Sequence, residues 1–281
     1  MSFTIFAMVL AAAFLHAVWN ALVKVNGDRL VAVAMIMSSQ ALISVFVLPF
    51  VTFPPADVWP YILGSVVLHN AYCLFLITAY RYGDLSHVYP IARGSAPLLV
   101  ALLSVVFAGE VLNRQEAFAV MLVTLGVMSL GLARGVDGIR EWRGVSFALG
   151  TGMMIAGYTL VDGIGARLSD SAHGYVFWSF ALHGIPLAVL TVIVRKRRAL
   201  SQVRKMWKVG VAAGVASLLA YWIVVWAMTQ APFALVSALR ETSVVFAVLF
   251  GVVLLKERLD LLRLAAIGVT LLGVVMLRAG R

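Results

Sequence analysis

The sequence predicts an all-α integral membrane protein of ten transmembrane helices, arranged as two inverted five-helix repeats. Its composition is the first reason: 63% of the 281 residues are hydrophobic, 12% are charged, and the mean hydropathy is +1.01. So few polar side chains cannot cover the surface of a soluble fold. The second reason is a series of apolar stretches of about 20 residues, the length that crosses a bilayer. The third is that the second half of the chain repeats the first.

The apolar stretches are separated by charged or turn-forming residues, as expected for spans joined by short loops. An open sheet leaves unpaired edges in lipid, and barrel strands are about half as long as these stretches, so we predict helices. The predicted spans are 3–23, 30–51, 58–80, 87–108, 116–133, 144–166, 174–194, 207–229, 234–255 and 262–278.

The repeat aligns residues 93–130 with residues 240–277 at a constant offset of 147. The first repeat is predicted to cover 1–134 and the second 144–281, with 135–143 as the connection. Because five is an odd number of crossings, the second repeat enters the membrane from the opposite side, as in many secondary transporters. The aligned pairs include Arg93 with Arg240, Glu110 with Glu257, Gly126 with Gly273 and Val127 with Val274.

The distribution of basic residues predicts an orientation. Of the 22 Lys and Arg residues, 16 lie in odd-numbered loops, most densely between Arg195 and Lys208. Positively charged loops stay in the cytoplasm, so this count places the odd loops inside and both termini outside. The net charge of +10 is then explained by loops facing the cytosol and anionic lipid, without a nucleic-acid partner.

Charged residues inside the spans are costly, and they usually mark a pathway. Arg93 and Arg240 are candidate contacts for a substrate carboxylate or phosphate. The alternative is a structural ion pair, for instance Arg93 with Glu241. Glu241 is a candidate for proton coupling, although it could simply neutralise an arginine. Asp162 is a second candidate for proton coupling, but it is closer to a span end, where it could snorkel to water.

Polar and aromatic residues in other spans suggest a cavity between the two repeats. His16, Trp19 and Asn20 are spaced to project together from the first span. A cavity lined in this way suits a small solute with an apolar or aromatic body and a charged head. For each aromatic residue, packing or anchoring at the lipid interface is the alternative. The other candidate lining residues are His69, Asn70, Tyr72, Tyr89, Tyr158, Tyr221 and Trp222. His183, alone in the seventh span, is expected to bond to backbone.

Several function classes are excluded by missing motifs. The chain has no Walker A, HExxH or GxSxG motif, so ATP-driven pumping by this chain and the corresponding enzymes are not expected. Cys73 is the single cysteine and can form neither an internal disulfide nor a cysteine metal cluster. We expect no enzyme activity, no cofactor and no metal site. The expected partners are a small-molecule substrate and the lipid bilayer. A monomer is expected, with a dimer as the alternative, because Gly210 and Gly214 form a GxxxG pair.

Short motifs add a family resemblance that covers essentially the whole chain. They are His16-Ala17-Val18-Trp19-Asn20-Ala21-Leu22-Val23-Lys24 in the first span, and Phe107-Ala108-Gly109-Glu110 and Leu254-Leu255-Lys256-Glu257 after the fourth and ninth. In these motifs the sequence resembles the EamA-type members of the drug/metabolite transporter (DMT) superfamily, and among them the aromatic amino-acid and methyl viologen exporters of the YddG type. The resemblance implies a multi-pass protein of the cell inner membrane with both termini in the cytoplasm. This orientation is opposite to the one that the loop charges predict.

The main hypothesis is therefore a secondary active exporter of amino acids, with drugs such as methyl viologen as further substrates, that works by alternating access. The two intramembrane arginines leave a second hypothesis open, a transporter of phosphorylated or nucleotide-linked metabolites. A third hypothesis, of another class, is a membrane enzyme or structural subunit that transports nothing.

Overall fold

The fold is a bundle of helices. The computed structural model describes residues 1–23, 28–83, 85–132, 142–255 and 260–279, and within these ranges it contains helices and no strand. The α-helices are α1 (Phe3–Val23), α2 (Arg29–Val47), α3 (Trp59–Tyr82), α4 (Leu85–Ala108), α5 (Arg114–Leu132), α6 (Trp142–Leu168), α7 (Ala172–Arg195), α8 (Arg197–Met228), α9 (Phe233–Arg240), α10 (Thr242–Leu255) and α11 (Leu261–Ala279). Two short 3₁₀ turns, Leu48–Phe50 and Ala56–Val58, lie between α2 and α3.

Nine segments of the described chain are long and apolar enough to cross a membrane, with α9 and α10 counted as one segment. They correspond to nine of the ten predicted spans. The remaining predicted span, 116–133, is α5, whose first turn holds the polar residues Arg114, Gln115 and Glu116. The length and composition of the helices thus agree with a multi-pass membrane protein.

Two predicted spans differ from the structure. The ninth span is not one helix, because it breaks at Glu241, whose N–H bonds to the carbonyl of Ala238 in a tightened last turn of α9. The eighth helix begins at Arg197 instead of residue 207. Its basic first turns contain neither Gly nor Pro, so the helix continues beyond the apolar stretch and its charges can lie at the membrane surface.

Several contacts between helices recur when the two halves are exchanged. Helix α1 packs on α8, and their counterparts in the other half, α6 and α3, pack on each other in the same way. Helix α2 packs on its own counterpart α7, and α5 packs on its counterpart α11. Helix α4 crosses α6, as α9 and α10 cross α1. Such self-complementary contacts are characteristic of a two-fold relation.

Two glycines show this relation at the level of atoms. A Cβ added to Gly126 would lie 3.0 Å from the carbonyl oxygen of Ala266, and one added to Gly273 would lie 2.9 Å from that of Ala119. Ala119 and Ala266 are themselves 147 residues apart, the offset predicted for the repeat. The contact between α5 and α11 is therefore reciprocal. Most of the predicted connection, 135–141, lies outside the described residues, as does Glu257.

The chain ends and the even-numbered connections lie on one side of the bundle. Arg278 near the C-terminus lies 4.9 Å over the ring of Phe3 near the N-terminus. We call this the even-loop side, which holds Ala56, Gly109, Ser169 and Gln230. The opposite, odd-loop side holds Asp28, Gly83, Lys196 and Asp260. The GxxxG pair of α8 packs against α2 of the same chain, with Gly214 facing Ser39.

Candidate functional site

The intramembrane charges form one buried cluster, which we call the arginine cluster: Arg93, Arg240 and Glu241. The Nε of Arg93 lies 3.0 Å from Oε2 of Glu241, and the Nε of Arg240 lies 3.9 Å from Oε1. None of the three side chains is more than 3% exposed. The Arg93 and Glu241 pair is the ion pair that the sequence offered as the alternative to a substrate contact.

Each arginine of the cluster lies near an irregularity in its helix. Pro97 lacks an N–H group, so the carbonyl of Arg93 loses its usual partner within α4. In the second half the helix breaks between Arg240 and Thr242. Irregular backbone at membrane depth is tolerated where it is buried in protein or lines a cavity. Arg240 thus sits at a broken helix of the kind that forms transporter binding sites, whereas Arg93 lies four residues before a proline inside the continuous helix α4.

The charges in the cluster do not cancel. Arginine stays protonated in proteins, so the cluster has two fixed positive charges and one acid. Nη2 of Arg93 donates to the hydroxyl of Ser243 at 3.4 Å, whereas Nε and Nη2 of Arg240 have no hydrogen-bond partner in the described structure. Arg240 is therefore the guanidinium with donors still available.

Tyr158 of α6 is the centre of an aromatic wall. Its ring stacks on His69 at 4.0 Å between centroids and makes edge contacts with Tyr72 at 5.8 Å and Tyr221 at 5.9 Å. Its hydroxyl is within electrostatic range of both arginines. His69, Tyr72 and Tyr221 are partly accessible. Tyr89, also partly accessible, is within electrostatic range of Arg93 and Glu241.

The polar stripe of α1 forms as its spacing predicts. The indole N–H of Trp19 donates to Nδ1 of His16 at 3.3 Å, and the Asn20 amide donates to the His16 carbonyl at 2.8 Å. His16 is within electrostatic range of both arginines. This places the first span next to the cluster.

Asp162 is the centre of a second buried polar group. It accepts hydrogen bonds from the hydroxyls of Tyr175, at 2.9 Å, and Tyr221, and its Oδ2 lies 4.0 Å from Nδ1 of His69. The side chain is 1% exposed. The suggestion that Asp162 snorkels to water was therefore wrong, because the phenols satisfy it inside the bundle.

Ser65 and Tyr175 also belong to this second group and were not predicted from the sequence. His183 belongs to it too, through a contact other than the predicted one. The Ser65 hydroxyl lies 3.0 Å from Nε2 of His183 and 3.2 Å from Nδ1 of His69. His183 therefore contacts a side chain, not the backbone that we expected. Ser65 and His183 are 118 residues apart, and neither has a local pattern that marks it. Only the packing of α3 on α7 brings them together.

Two predicted lining residues make contacts elsewhere. The indole N–H of Trp222 donates to Nδ1 of His173 at 2.7 Å, and its ring packs on Phe177. Asn70 donates to the carbonyls of Val66 and His183, joining α3 to α7. Neither contact involves the arginine cluster.

Glu110 closes the bundle on the even-loop side. Gly109, with φ of 64°, ends α4 in the left-handed conformation that favours glycine. The Glu110 carboxylate accepts the N–H of Phe233, the first residue of α9, at 2.9 Å, and pairs with Nη2 of Arg167 at 2.8 Å. Arg167 also donates to the carbonyls of Met228 and Ala231. Glu110 thus ties the first repeat to three helix ends of the second.

A hollow of about 390 Å³ lies beside this contact. It is formed by the end of α6, the start of α7 and the end of α8. Its lining residues are Ala166, Arg167, Ser169, Asp170, Ser171, Ala172, His173, Trp226, Thr229 and Gln230.

Another ion pair joins the repeats on the odd-loop side. Asp28, the N-cap of α2, accepts a hydrogen bond from Nε of Arg195 at the end of α7, and its own N–H donates to Gln202 of α8. Partial burial alone would raise the pKa of Asp28, but the hydrogen bond from Arg195 and those from α2 backbone hold this pKa below its usual range.

Within the ranges that the structure describes, no three His, Cys, Asp or Glu side chains are grouped so as to hold a metal ion. Cys73 is buried, with its Sγ 3.7 Å from Sδ of Met37.

Comparisons with known proteins agree with this architecture. The profile of the EamA-like transporter family matches residues 3–132 and again residues 142–279. No curated protein matches the chain. A protein with a solved crystal structure has the same fold, with a TM-score of 0.77, 17% sequence identity, and coverage of 97% of this chain and 94% of that one. Since the two family matches together take in almost all of the helical bundle, this chain belongs to the EamA-like transporter family, a family of membrane transporters of small molecules.

Proposed function

We propose that this protein is a secondary active transporter that exports small metabolites with a carboxylate head and an apolar or aromatic body, most notably amino acids. The two repeats rock around a central cavity, and the arginine cluster receives the carboxylate. One observation carries the proposal: Arg240 is buried, its Nε and Nη2 have no hydrogen-bond partner among the described residues, and the acid 3.9 Å from its Nε is already paired with Arg93 at 3.0 Å.

An uncompensated charge inside a membrane protein is expensive, so the free guanidinium favours an anion. Glu241 can balance one arginine only. A carboxylate fits the planar donor fork of Arg240 and would restore neutrality. The binding free energy of such a substrate therefore includes the relief of a buried charge.

The aromatic wall favours a substrate with an apolar or aromatic body. Tyr158, Tyr72 and Tyr221 are large apolar surfaces whose hydroxyls can also bond to a polar substituent. Tyr72 and Tyr221 are partly accessible, which supports a space between the repeats that a side chain of the substrate would fill.

The charges of the arginine cluster also rank the alternative substrates. A phosphorylated metabolite carries about two negative charges and calls for two free cations, whereas Arg93 is already paired with Glu241. A dication such as methyl viologen would meet a cluster with excess positive charge. The non-transporting hypothesis is disfavoured by the family of the chain.

Transport by purified protein in proteoliposomes is the direct test. Exchange of labelled amino acids across the membrane is measured with unlabelled amino acids or sugar phosphates as competitors. We expect aromatic or apolar amino acids to exchange and to outcompete sugar phosphates. We expect R240Q to lose exchange, whereas K208Q, which removes an exposed basic charge outside the cluster, keeps it. Normal exchange by R240Q would show that the site is wrongly placed.

A further inference from the structure

The polar group around Asp162 has no role in binding the substrate carboxylate, since its acid would repel it. We infer that Asp162 and His69 together form the proton-binding site that couples transport to a pH gradient. The inference rests on the proposed transport function and adds the identity of the coupling ion and its residues.

Asp162 has no fixed positive partner. The groups around it are Ser65 and His69 on α3, Tyr158 on α6, Tyr175 and His183 on α7, and Tyr221 on α8, with Arg240 of α9 beyond Tyr158 and Tyr221. Within the described ranges, no Lys or Arg lies within ion-pair distance of it. Asp162 is thus a buried acid, 1% exposed, whose basic neighbour among the described residues is a histidine that can gain or lose a proton and not a fixed cation.

The hydrogen bonds define where the proton binds. The carbonyl of Ser65 lies 3.0 Å from Nδ1 of His69 and can only accept, so this nitrogen carries a hydrogen. Nε2 of neutral His69 is then the basic position. With Asp162 ionised and His69 neutral, the pair has one negative charge. One added proton makes it neutral, and its release restores the charge, so no other reactant is needed.

Glu241 is the less suitable of the two acids that the sequence offered for proton coupling. It lies between two arginines that stay charged, 3.0 Å and 3.9 Å away. A proton added to Glu241 would leave two permanent, buried cations without an acid between them. Among the described residues no fixed cation is paired with Asp162, so a proton added there leaves no buried cation unpaired.

The geometry also connects the proton site to both water and substrate. Asp162 lies one helical turn from Ala166, which lines the hollow on the even-loop side, so protons from that side have a short route. On the other side, His69 stacks on Tyr158 and keeps 13% of its side chain accessible. A change in charge on His69 thus acts directly on the aromatic wall that contacts the substrate.

Two assays in proteoliposomes separate coupling from transport. Exchange at equal pH on both sides needs no net proton movement, whereas accumulation driven by a pH gradient does. For one coupled proton, a gradient of one pH unit supports about tenfold accumulation. We expect D162N to exchange substrate but to lose this accumulation, so that internal and external concentrations become equal. The matched control D57N, an Asp to Asn change at an exposed residue of the even-loop side, keeps both activities.

The outcomes distinguish the two proposals. If the unmodified protein exchanges no amino acid, the proposed function fails, and the coupling site fails with it. If it exchanges substrate and D162N still accumulates it with the pH gradient, the proton site alone is refuted. Accumulation driven by a sodium gradient and not by pH would also refute it. Exchange by D162N serves as the check that this variant is folded.

Discussion

Arg93 and Arg240 occupy equivalent places in the repeat, but their surroundings differ at the next residue. At the offset of 147, Glu241 corresponds to Gly94. Gly94 packs against Met128 of α5, where a Cβ would lie 2.9 Å from the backbone nitrogen, so no side chain fits there. The single acid of the cluster therefore belongs to the second repeat. This asymmetry leaves one arginine compensated and the other available.

The first prediction tests this balance of charge. E241Q leaves two buried guanidinium groups without an acid, and breaking a buried ion pair from one side costs about 3–5 kcal/mol. We expect a clear loss of thermal stability in detergent. The double variant R93Q/E241Q restores the original net charge of the cluster and leaves Arg240 free, so we expect it to regain much of this stability. If the double variant is no more stable than E241Q, the ion pair does not govern the cluster.

Helix α9, of eight residues, is the shortest α-helix among the described residues, and both of its ends make contacts that matter. Its C-terminal end carries Arg240 of the arginine cluster. Its N-terminal end depends on Glu110 of the other repeat, because Pro232 at the N-cap offers no side-chain hydrogen bond. A carboxylate at a helix N-terminus satisfies a free N–H and interacts well with the helix dipole. Glu110 thus links the position of α9 to closure on the even-loop side.

The second prediction concerns this closure. E110Q weakens the contacts to Arg167 and to the N–H of Phe233, so the bundle should open more often on the even-loop side. The readout is the rate of maleimide labelling of a cysteine at Ser237, a fully buried residue of α9, in a C73S background. We expect E110Q to raise the labelling rate. D170N, which changes an exposed acid on the same side, should leave it unchanged, and an equal rate in E110Q and its parent would contradict this role.

At the scale of the whole molecule, the reciprocal contact of α5 and α11 fastens the two repeats to each other. Gly126 and Gly273 allow the two backbones to approach, since the atoms nearest to an added Cβ include backbone oxygens that cannot move aside. Small residues provide such close contacts in membranes, where lipid gives little hydrophobic drive for association of helices.

The third prediction follows from the symmetry of this contact. G126V and G273V should each destabilise the protein by about 1–3 kcal/mol, as overpacked cores do, and by similar amounts because the contact is reciprocal. G268A, also on α11, is the control, since a Cβ at Gly268 meets nothing within 4 Å. Thermal unfolding in detergent measures all three. Full stability of G273V would show that the two helices do not pack at this place.

The fourth prediction is the orientation in the membrane. Lys196 on the odd-loop side and Asp57 on the even-loop side are both exposed. In the C73S background, we expect K196C to react with an impermeant maleimide only when the cytoplasmic side is accessible, and D57C only from outside, because basic loops stay inside. The opposite pattern would place both termini in the cytoplasm, as the family resemblance implies, and would refute the charge-based orientation.

The class of fold was predictable because its signals are local. The lipid requires long apolar helices, so the spans are visible in the composition of single segments. The repeat was visible because Arg93, Gly126 and their partners keep one constant offset. The break at Glu241 was missed, since the whole stretch 234–255 is apolar enough for one helix. The contact of Glu241 with Arg93 comes from another helix and is not visible in that stretch.

The sequence by itself determined that this is a multi-spanning membrane protein with two matching halves and an arginine at the equivalent position of each, because hydrophobic length and spacing depend on neighbours along the chain. The tertiary structure decided which arginine is paired, and it brought Asp162 together with Tyr221 and His69. Those contacts depend on how each helix is rotated and packed against helices far away in sequence. For that reason the candidate charges could be read from the sequence, whereas their separation into the arginine cluster and the polar group around Asp162 could not.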